Sequence, residues 1–446
     1  MSEPSRTREK KKLKQLPGMY LFVNAALALW ALCDVVVILE RTVLHLPDNF
    51  WHILYPWNPF SDFLAFRPQF LAFRTPQFWQ QRTVLFPYPA PAALAFEAFF
   101  SAGKHALGYF LLSVIICVIG AALWCGIALS HRGLEFQSVI LFVGIAAVSS
   151  YPFMFLFSRA NIEIVNWIFV SLAIAALWCE RWNLAGVLLC LAISFKLFPF
   201  ILLGLFFSRR KYLSILIALG TALGVDIISL AILGPSIKIA NQQIARGLQF
   251  VQVAYVRKFT PAEITFDHSL FAVVKQIAAA FHIVDPAHLS RFADRYMVVA
   301  ALIGLLLYFT RIIRLPRINQ IIILLTLSLL LPPVSGDYTL IHLYPAWMIL
   351  ALFALNAEPG IIRSRVLPAC FFLLAIAFCP ETYLFIGQAH IAGAFKALAL
   401  SVLVILLLIY RFDEKRPDVA DANAHPEPGH AQPVPLSGGP DCVRTV

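Results

Sequence analysis

Long apolar runs, separated by short polar and often basic connections, occupy most of the chain from residue 18 to residue 410. Runs of about 20 apolar residues predict helices that cross a bilayer. The pattern places them at 18–39, 106–129, 137–157, 163–179, 212–233, 296–313, 319–333, 342–356, 366–380 and 391–410. One further stretch, LAGVLLCLAISFKLFPFILLGLFFSRRK, is apolar enough for lipid but carries Lys196 and Pro199 near its middle. A charge at bilayer depth costs about 2.5–3.5 kcal/mol, and proline removes a backbone donor, so this segment calls for a break and a reason for the lysine.

Composition agrees with a membrane protein. Hydrophobic residues make up 60% of the chain and charged residues 13%, and mean hydropathy is +0.78. Soluble domains carry about 25% charged residues. The net charge of +11 does not point to nucleic acid, because part of it lies in short connections where it sets orientation. The N-terminal SRTREKKKLKQ precedes a full-length apolar run without a small-residue cleavage site, and reads as a retained cytoplasmic start. Residues 1–17 are thus expected to be a basic cytoplasmic segment, 18–411 the membrane domain and 412–446 a disordered cytoplasmic tail rich in Pro, Asp, His and Gly.

Charge then fixes the path. The lysine segment starts after CERWN, which the path of the preceding helices places inside, and ends at SRRK, a basic cluster also expected inside. One straight span cannot join two cytoplasmic ends, whereas a re-entrant pair of short helices meeting at FKLFP can. Counting the segment as a single span would put the later basic connections outside. The resulting expectation is an all-α, polytopic protein of about twelve transmembrane helices including the re-entrant pair. Its long outer loops are 40–104 and 234–295, and Lys196 lines a cavity open to the outer face.

Other polar residues expected on that face give the cavity its chemistry. Asp62, in NPFSDFLAF, suits a short interfacial helix, either capping it or acting as a general base on a hydroxyl. His342, in DYTLIHLYPAW, is either part of an aromatic belt or a partner for a phosphate oxygen. Arg159, in SRANIE, either caps and anchors a helix or contacts an anion, and Arg257 belongs to a solvated basic patch or the same pocket. Together they suit a lipid-linked phosphate. Breaking a phosphodiester bond to a sugar raises the phosphate from one negative charge to nearly two, so cations gain most in the transition state. No Walker loop, dinucleotide turn or HExxH motif occurs.

The stretch SRANIEIVNWIFVSLAIAALWCERWNLAGVLLCLAISFKLFPFILLGLFFSRRKY resembles the central signature of glycosyltransferase family 87, with a K-x-x-P element before a basic cluster. FSDFLAF with FPYPAPAALAF is similar to that family's first outer loop, and DYTLIHLYPAW to its late histidine motif. Where the family commonly has Gly-Gln before the Asn, this chain has Ser158, Arg159 and Ala160, and paired histidines are replaced by Ile341 and His342. The resemblance implies a GT-C fold and an inverting transferase that takes a sugar, mannose above all, from a polyprenyl-phosphate donor. The acceptor would be a hydroxyl of a lipid or glycan at the outer face of a bacterial inner membrane. Asp62 would then be the catalytic base; Lys196, His342, Arg159 and Arg257 would bind the donor phosphate; and Asn161, Asp337, Tyr338 and Tyr88 would contact substrate. No metal and no cofactor is implied, nor any nucleic-acid partner. Arabinose, glucose or a uronic sugar remains open as the group transferred. A secondary transporter, which also uses broken helices, and a non-enzymatic lipid-binding assembly protein are the rival readings.

Overall fold

The computed structural model describes residues 43, 60–71, 86, 88–130, 150–251, 253, 256, 267–281, 286–356, 365–379, 385–386, 389–390 and 392–412. The helix expected over 18–39, the third helix before residue 150, Arg257 and the tail beyond 412 lie outside them. Among the described residues the protein is helical apart from a two-residue hairpin, β1 (Phe385–Ile386) against β2 (Ala389–His390).

Among the described residues, the segment expected as the first loop holds three helices, α1 (Ser61–Leu64), α2 (Arg67–Leu71) and α3 (Ala90–Phe100), which lead into the long α4 (Ala106–Ser130). A single turn such as α1 has no stability of its own. It is held because Phe63 is fully buried, with ring centroids 4.6 Å from Phe100 and 4.9 Å from Phe110. Next come α5 (Tyr151–Arg159), α6 (Glu163–Trp178), α7 (Trp182–Phe195), a 3-10 turn (Phe198–Leu202), α8 (Leu203–Ser208) and α9 (Tyr212–Leu233).

The lysine segment folds back on itself. α7 stops at Phe195, and Lys196 takes an extended conformation, φ −152 and ψ 141. Pro199 then opens the 3-10 turn, where its missing N–H and fixed φ suit a helix start. A continuous helix over these residues would separate its ends by about 39 Å. Instead, the Trp182 ring lies 5.8 Å from Phe206, Lys211 sits 5.6 Å over Trp182, and Ser214 donates to Asn183 Oδ1 at 2.8 Å. The two ends of the segment therefore meet on one side of the molecule.

The region expected as one long loop, 234–295, contains structure that periodicity did not separate. It carries the amphipathic α10 (Ile237–Val251) and α11 (Leu270–Ala280), and α12 (Pro286–Thr310) begins well before residue 296 because its first turns, PAHLSRFADRY, are polar. α13 (Arg317–Leu330), a 3-10 segment (Asp337–Leu343), α14 (Tyr344–Asn356), α15 (Val366–Phe378) and α16 (Ala392–Ile409) complete the order.

Three described helical stretches are long and apolar enough to cross a membrane: Gly103–Gly120, Tyr212–Leu233 and Arg291–Arg314. The other apolar helices found are shorter, 10–17 residues. On the long helices the apolar side chains point outward: Leu216, Leu223, Leu302 and Leu306 are 61–66% exposed. Contiguous apolar surface of this kind is lipid-facing rather than water-facing. α13 shows the opposite character, buried at every residue from Ile318 to Leu330, and forms the central pillar of the core.

Candidate active site

The site is built around the turn between α5 and α6. α5 ends with Ala160 in the left-handed conformation, φ 49 and ψ 49. The Ala160 N–H donates to the Phe157 carbonyl at 3.0 Å and the Asn161 N–H to the Leu156 carbonyl at 3.2 Å. This is a Schellman motif closed without glycine, and the left-handed alanine costs about 1–2 kcal/mol. The turn brings Arg159, Asn161 and Glu163 to one place. Phe60, also left-handed at φ 62, donates its N–H to the Ser158 carbonyl at 2.7 Å and so fastens the α1 loop to the same helix end.

Asp62 consequently faces Arg159. Nε donates to Oδ2 at 2.8 Å and Nη2 to Oδ1 at 2.5 Å, a two-pronged pair that fixes the carboxylate plane. Asn161 Nδ2 adds a third bond, to Oδ2 at 2.6 Å. The other end of the Asn161 amide accepts the Glu163 N–H at 2.9 Å, which fixes its orientation.

Glu163 heads α6, where a carboxylate suits the positive end of a helix. Its Oε1 accepts from Asn166 Nδ2 at 2.7 Å and from His342 Nε2 at 2.8 Å, and its Oε2 is ion-paired with the Lys196 ammonium. Lys196 Nζ also lies 4.8 Å over the Tyr338 ring and 5.5 Å over the Tyr88 ring, favourable contacts of a cation with aromatic faces. Burial holds the Tyr88 phenol well above its ordinary range, with Lys196 opposing, so it stays a neutral hydroxyl. Phe198, two residues past the lysine, packs edge-on against His342 at 4.9 Å.

Two tiers result. In front, the side chains of Asp62, Arg159 and Lys196 are 15%, 23% and 19% exposed. Behind them Glu163 and His342 are fully buried. Of the residues expected on the donor phosphate, Lys196 and Arg159 are in the front tier. His342 is joined to them through Glu163, and among the described residues its buried Nδ1 has no hydrogen-bond partner. Tyr88, Asn161 and Tyr338 adjoin the same cluster, and Arg257 lies outside the described residues.

Asp337, expected to contact substrate, sits apart from this cluster in a second buried network. It is fully buried, pairs with Lys396 at 3.4 Å and approaches His268 Nδ1 at 3.4 Å. His268 Nε2 in turn lies 3.0 Å from Ser335 Oγ. In a 3-10 helix consecutive side chains diverge by about 120°. Tyr338 can therefore point at Lys196 while Asp337 points into this second network. Sequence reasoning also passed over Glu163, Lys396 and His268. Lys396 carried a usable signal, since it interrupts the apolar AGAFKALALS just as Lys196 interrupts its own segment. Glu163 carried a weaker one, a carboxylate directly before an apolar helix.

Among the described residues no group of three His, Cys, Asp or Glu side chains stands close enough to hold a metal ion. The arrangement offers a carboxylate beside a hydrogen-bonding amide, two partly exposed cations and two aromatic faces. These are the parts needed to move a proton from a hydroxyl and to stabilise an anionic leaving group.

No curated protein and no solved structure matches the chain. The sequence model of Glycosyltransferase family 87 matches residues 86–333. That span covers Tyr88, Arg159, Asn161, Glu163 and Lys196, and the fold adds Asp62, Tyr338 and His342 to them from either side. With more than half of the chain matched and the matched residues converging on one charged cluster, this membrane protein belongs to glycosyltransferase family 87 and is a glycosyltransferase.

Proposed function

We propose that the protein transfers a sugar, mannose, from a polyprenyl-phosphate donor to a hydroxyl of a lipid or glycan acceptor, with inversion at the anomeric carbon. The observation that carries this reading is the meeting of Asp62, Arg159 and Lys196, from three distant parts of the chain, in one partly exposed patch. Asp62 takes the proton of the acceptor hydroxyl as its oxygen attacks the anomeric carbon. The bond from that carbon to the phosphate oxygen breaks, and its electron pair leaves with the phosphate. Lys196 and Arg159 meet the growing charge, and Tyr88 and Tyr338 supply faces for the sugar. Arg159 also restrains Asp62. A donor phosphate that draws the guanidinium toward itself loosens that pair and frees a carboxylate oxygen for the incoming hydroxyl.

The same reading includes a GT-C fold of about twelve spans in a bacterial inner membrane, with the site open to the outer face. The apolar polyprenyl tail then lies among the helices while the phosphate reaches Lys196 at headgroup level. The folded-back lysine segment supports this placement, because its two ends, one of them the basic SRRK, lie together, away from the tip.

The test is transfer from synthetic polyprenyl-phosphate mannose by purified protein, beside donors bearing arabinose, glucose or a uronic sugar. Asp62→Asn is expected to lower kcat at least about 100-fold, the scale of lost general-base catalysis, with donor binding retained. Transfer by that variant at the wild-type rate would remove Asp62 from the mechanism.

A further inference from the structure

Among the described residues the front tier holds two cations for an anionic ligand, yet each is already matched by a carboxylate. Asp62 takes Arg159, and Glu163 takes Lys196. The formal charges of these four side chains sum to zero. Asp62 can be explained as a base. Glu163 cannot act that way, because it is fully buried behind Lys196 and reaches the ligand only through that lysine. Nor can it swing aside when a phosphate binds. Asn166 and His342 both hold its Oε1, at 2.7 Å and 2.8 Å, and Asn161 Oδ1 holds its backbone N–H at 2.9 Å. Its negative charge is a fixed part of the site.

We propose that Glu163 is a positioning residue whose fixed charge offsets that of Lys196, so that the site releases its phosphate product as readily as it takes up its donor. The proposal rests on the lipid-linked phosphate donor proposed above. The donor is a phosphodiester with one negative charge, and the product is a phosphate monoester with nearly two. An unbalanced pair of cations holds the product more tightly than the donor and makes release limit turnover. The counter-charge behind Lys196 weakens binding of the dianion more than that of the monoanion, because the Coulomb energy scales with ligand charge. Lys196, 19% exposed in front of the fully buried Glu163, is the nearer of the two to a phosphate entering the site. Catalytic stabilisation is kept while net affinity for the product is limited.

Glu163→Gln tests this, since glutamine keeps an acceptor oxygen for Asn166 and His342 while losing the charge. Kinetics with synthetic polyprenyl-phosphate mannose give the donor KM, kcat and the inhibition constant of polyprenyl phosphate. Removing one buried charge near the phosphate changes affinity on the order of tenfold per unit of ligand charge. The donor KM is therefore expected to fall about tenfold, the product inhibition constant about a hundredfold, and kcat to fall as release becomes limiting. A purely structural role would raise KM and leave the ratio of the two constants unchanged. A ratio that shifts less than about fivefold toward the product overturns the proposal.

Should the variant not fold, the wild-type protein gives a second reading from inhibition by polyprenyl phosphate and by its monomethyl ester. A preference for the dianion below about tenfold supports charge balance, and a greater preference overturns it. Wild-type protein that transfers from none of the polyprenyl-phosphate sugars would overturn the donor assignment instead, a result seen before any substitution is made.

Discussion

Asn161 links the two halves of the charged cluster, and it does so with both ends of one amide. Its Nδ2 donates to Asp62 and its Oδ1 accepts the Glu163 N–H. A hydrogen bond to a charged group contributes about 1.5–3 kcal/mol and a neutral one about 0.5–1.5 kcal/mol, so both the aim of Asp62 and the start of α6 depend on this side chain. Asn161→Ala is expected to lower kcat/KM for sugar transfer ten- to a hundredfold. Asn161→Asp, which sets a second carboxylate against Asp62, is expected to do worse. Steady-state kinetics on the two variants check the order. Equal activity of wild type and the alanine variant would mean that Asp62 is positioned by Arg159 alone. At this scale the sequence was informative about residue types but not about pairing. Lys196 stood out because a charge in an apolar run needs a reason. That its partner is Glu163, 33 positions earlier, depends on where the α5–α6 turn lands, and no local pattern carries that.

Helices were the most legible level, since apolar period and length leave a strong trace. The elements at 106–130, 163–178, 212–233, 366–378 and 392–409 lie within a residue or two of the boundaries read from the apolar runs. The break at Lys196 falls where the lysine and the proline placed it. What escaped was structure with weak or mixed periodicity: the amphipathic α10 and the polar first turns of α12, whereas the short helix expected around Asp62 is α1. The base of the folded-back segment also depends on a detail invisible in composition. Gly186 lies so close to α9 that a Cβ there would meet the Ser214 carbonyl oxygen at 2.8 Å. The obstacle is backbone, so it cannot rotate away, and α7 would have to move off α9. Overpacking of this kind costs about 1–3 kcal/mol. Gly186→Ala should lower the thermal midpoint of the purified protein, whereas Gly220→Ala, on an open face of α9 with nothing within 4 Å, should leave it unchanged. A midpoint unaffected by Gly186→Ala would contradict the close α7–α9 contact.

Across the whole molecule, the second buried network ties distant segments to the site. Asp337 opens the 3-10 segment that carries Tyr338 and His342, Lys396 reaches it from α16, and His268 reaches it from just ahead of α11. The Asp267–Gly336 bridge and the His268 N–H to Ser335 carbonyl bond, 3.0 Å, fasten the backbone of the same two segments. Breaking one partner of a buried ion pair leaves an uncompensated charge and costs about 3–5 kcal/mol, while replacing both by apolar or neutral groups is often close to neutral. Asp337→Asn and Lys396→Met are each expected to destabilise the protein strongly, and the double variant to recover much of the loss, measured as thermal midpoints. Additive losses would show that the two side chains do not act as a pair. The family assignment reached this scale from the sequence, because motif order survives along the chain. The two-tier arrangement did not, since it comes from packing four segments far apart in sequence.

The central claim is that a lysine at the tip of a folded-back membrane segment stabilises the phosphate leaving group during sugar transfer. Turnover of Lys196→Met with synthetic polyprenyl-phosphate mannose, in protein shown to be folded, tests it most directly. The account predicts a fall in kcat of at least about 100-fold, the scale seen when one preorganised group at the developing charge is removed, with Lys196→Arg keeping a measurable fraction. Transfer by Lys196→Met at the wild-type rate would contradict it.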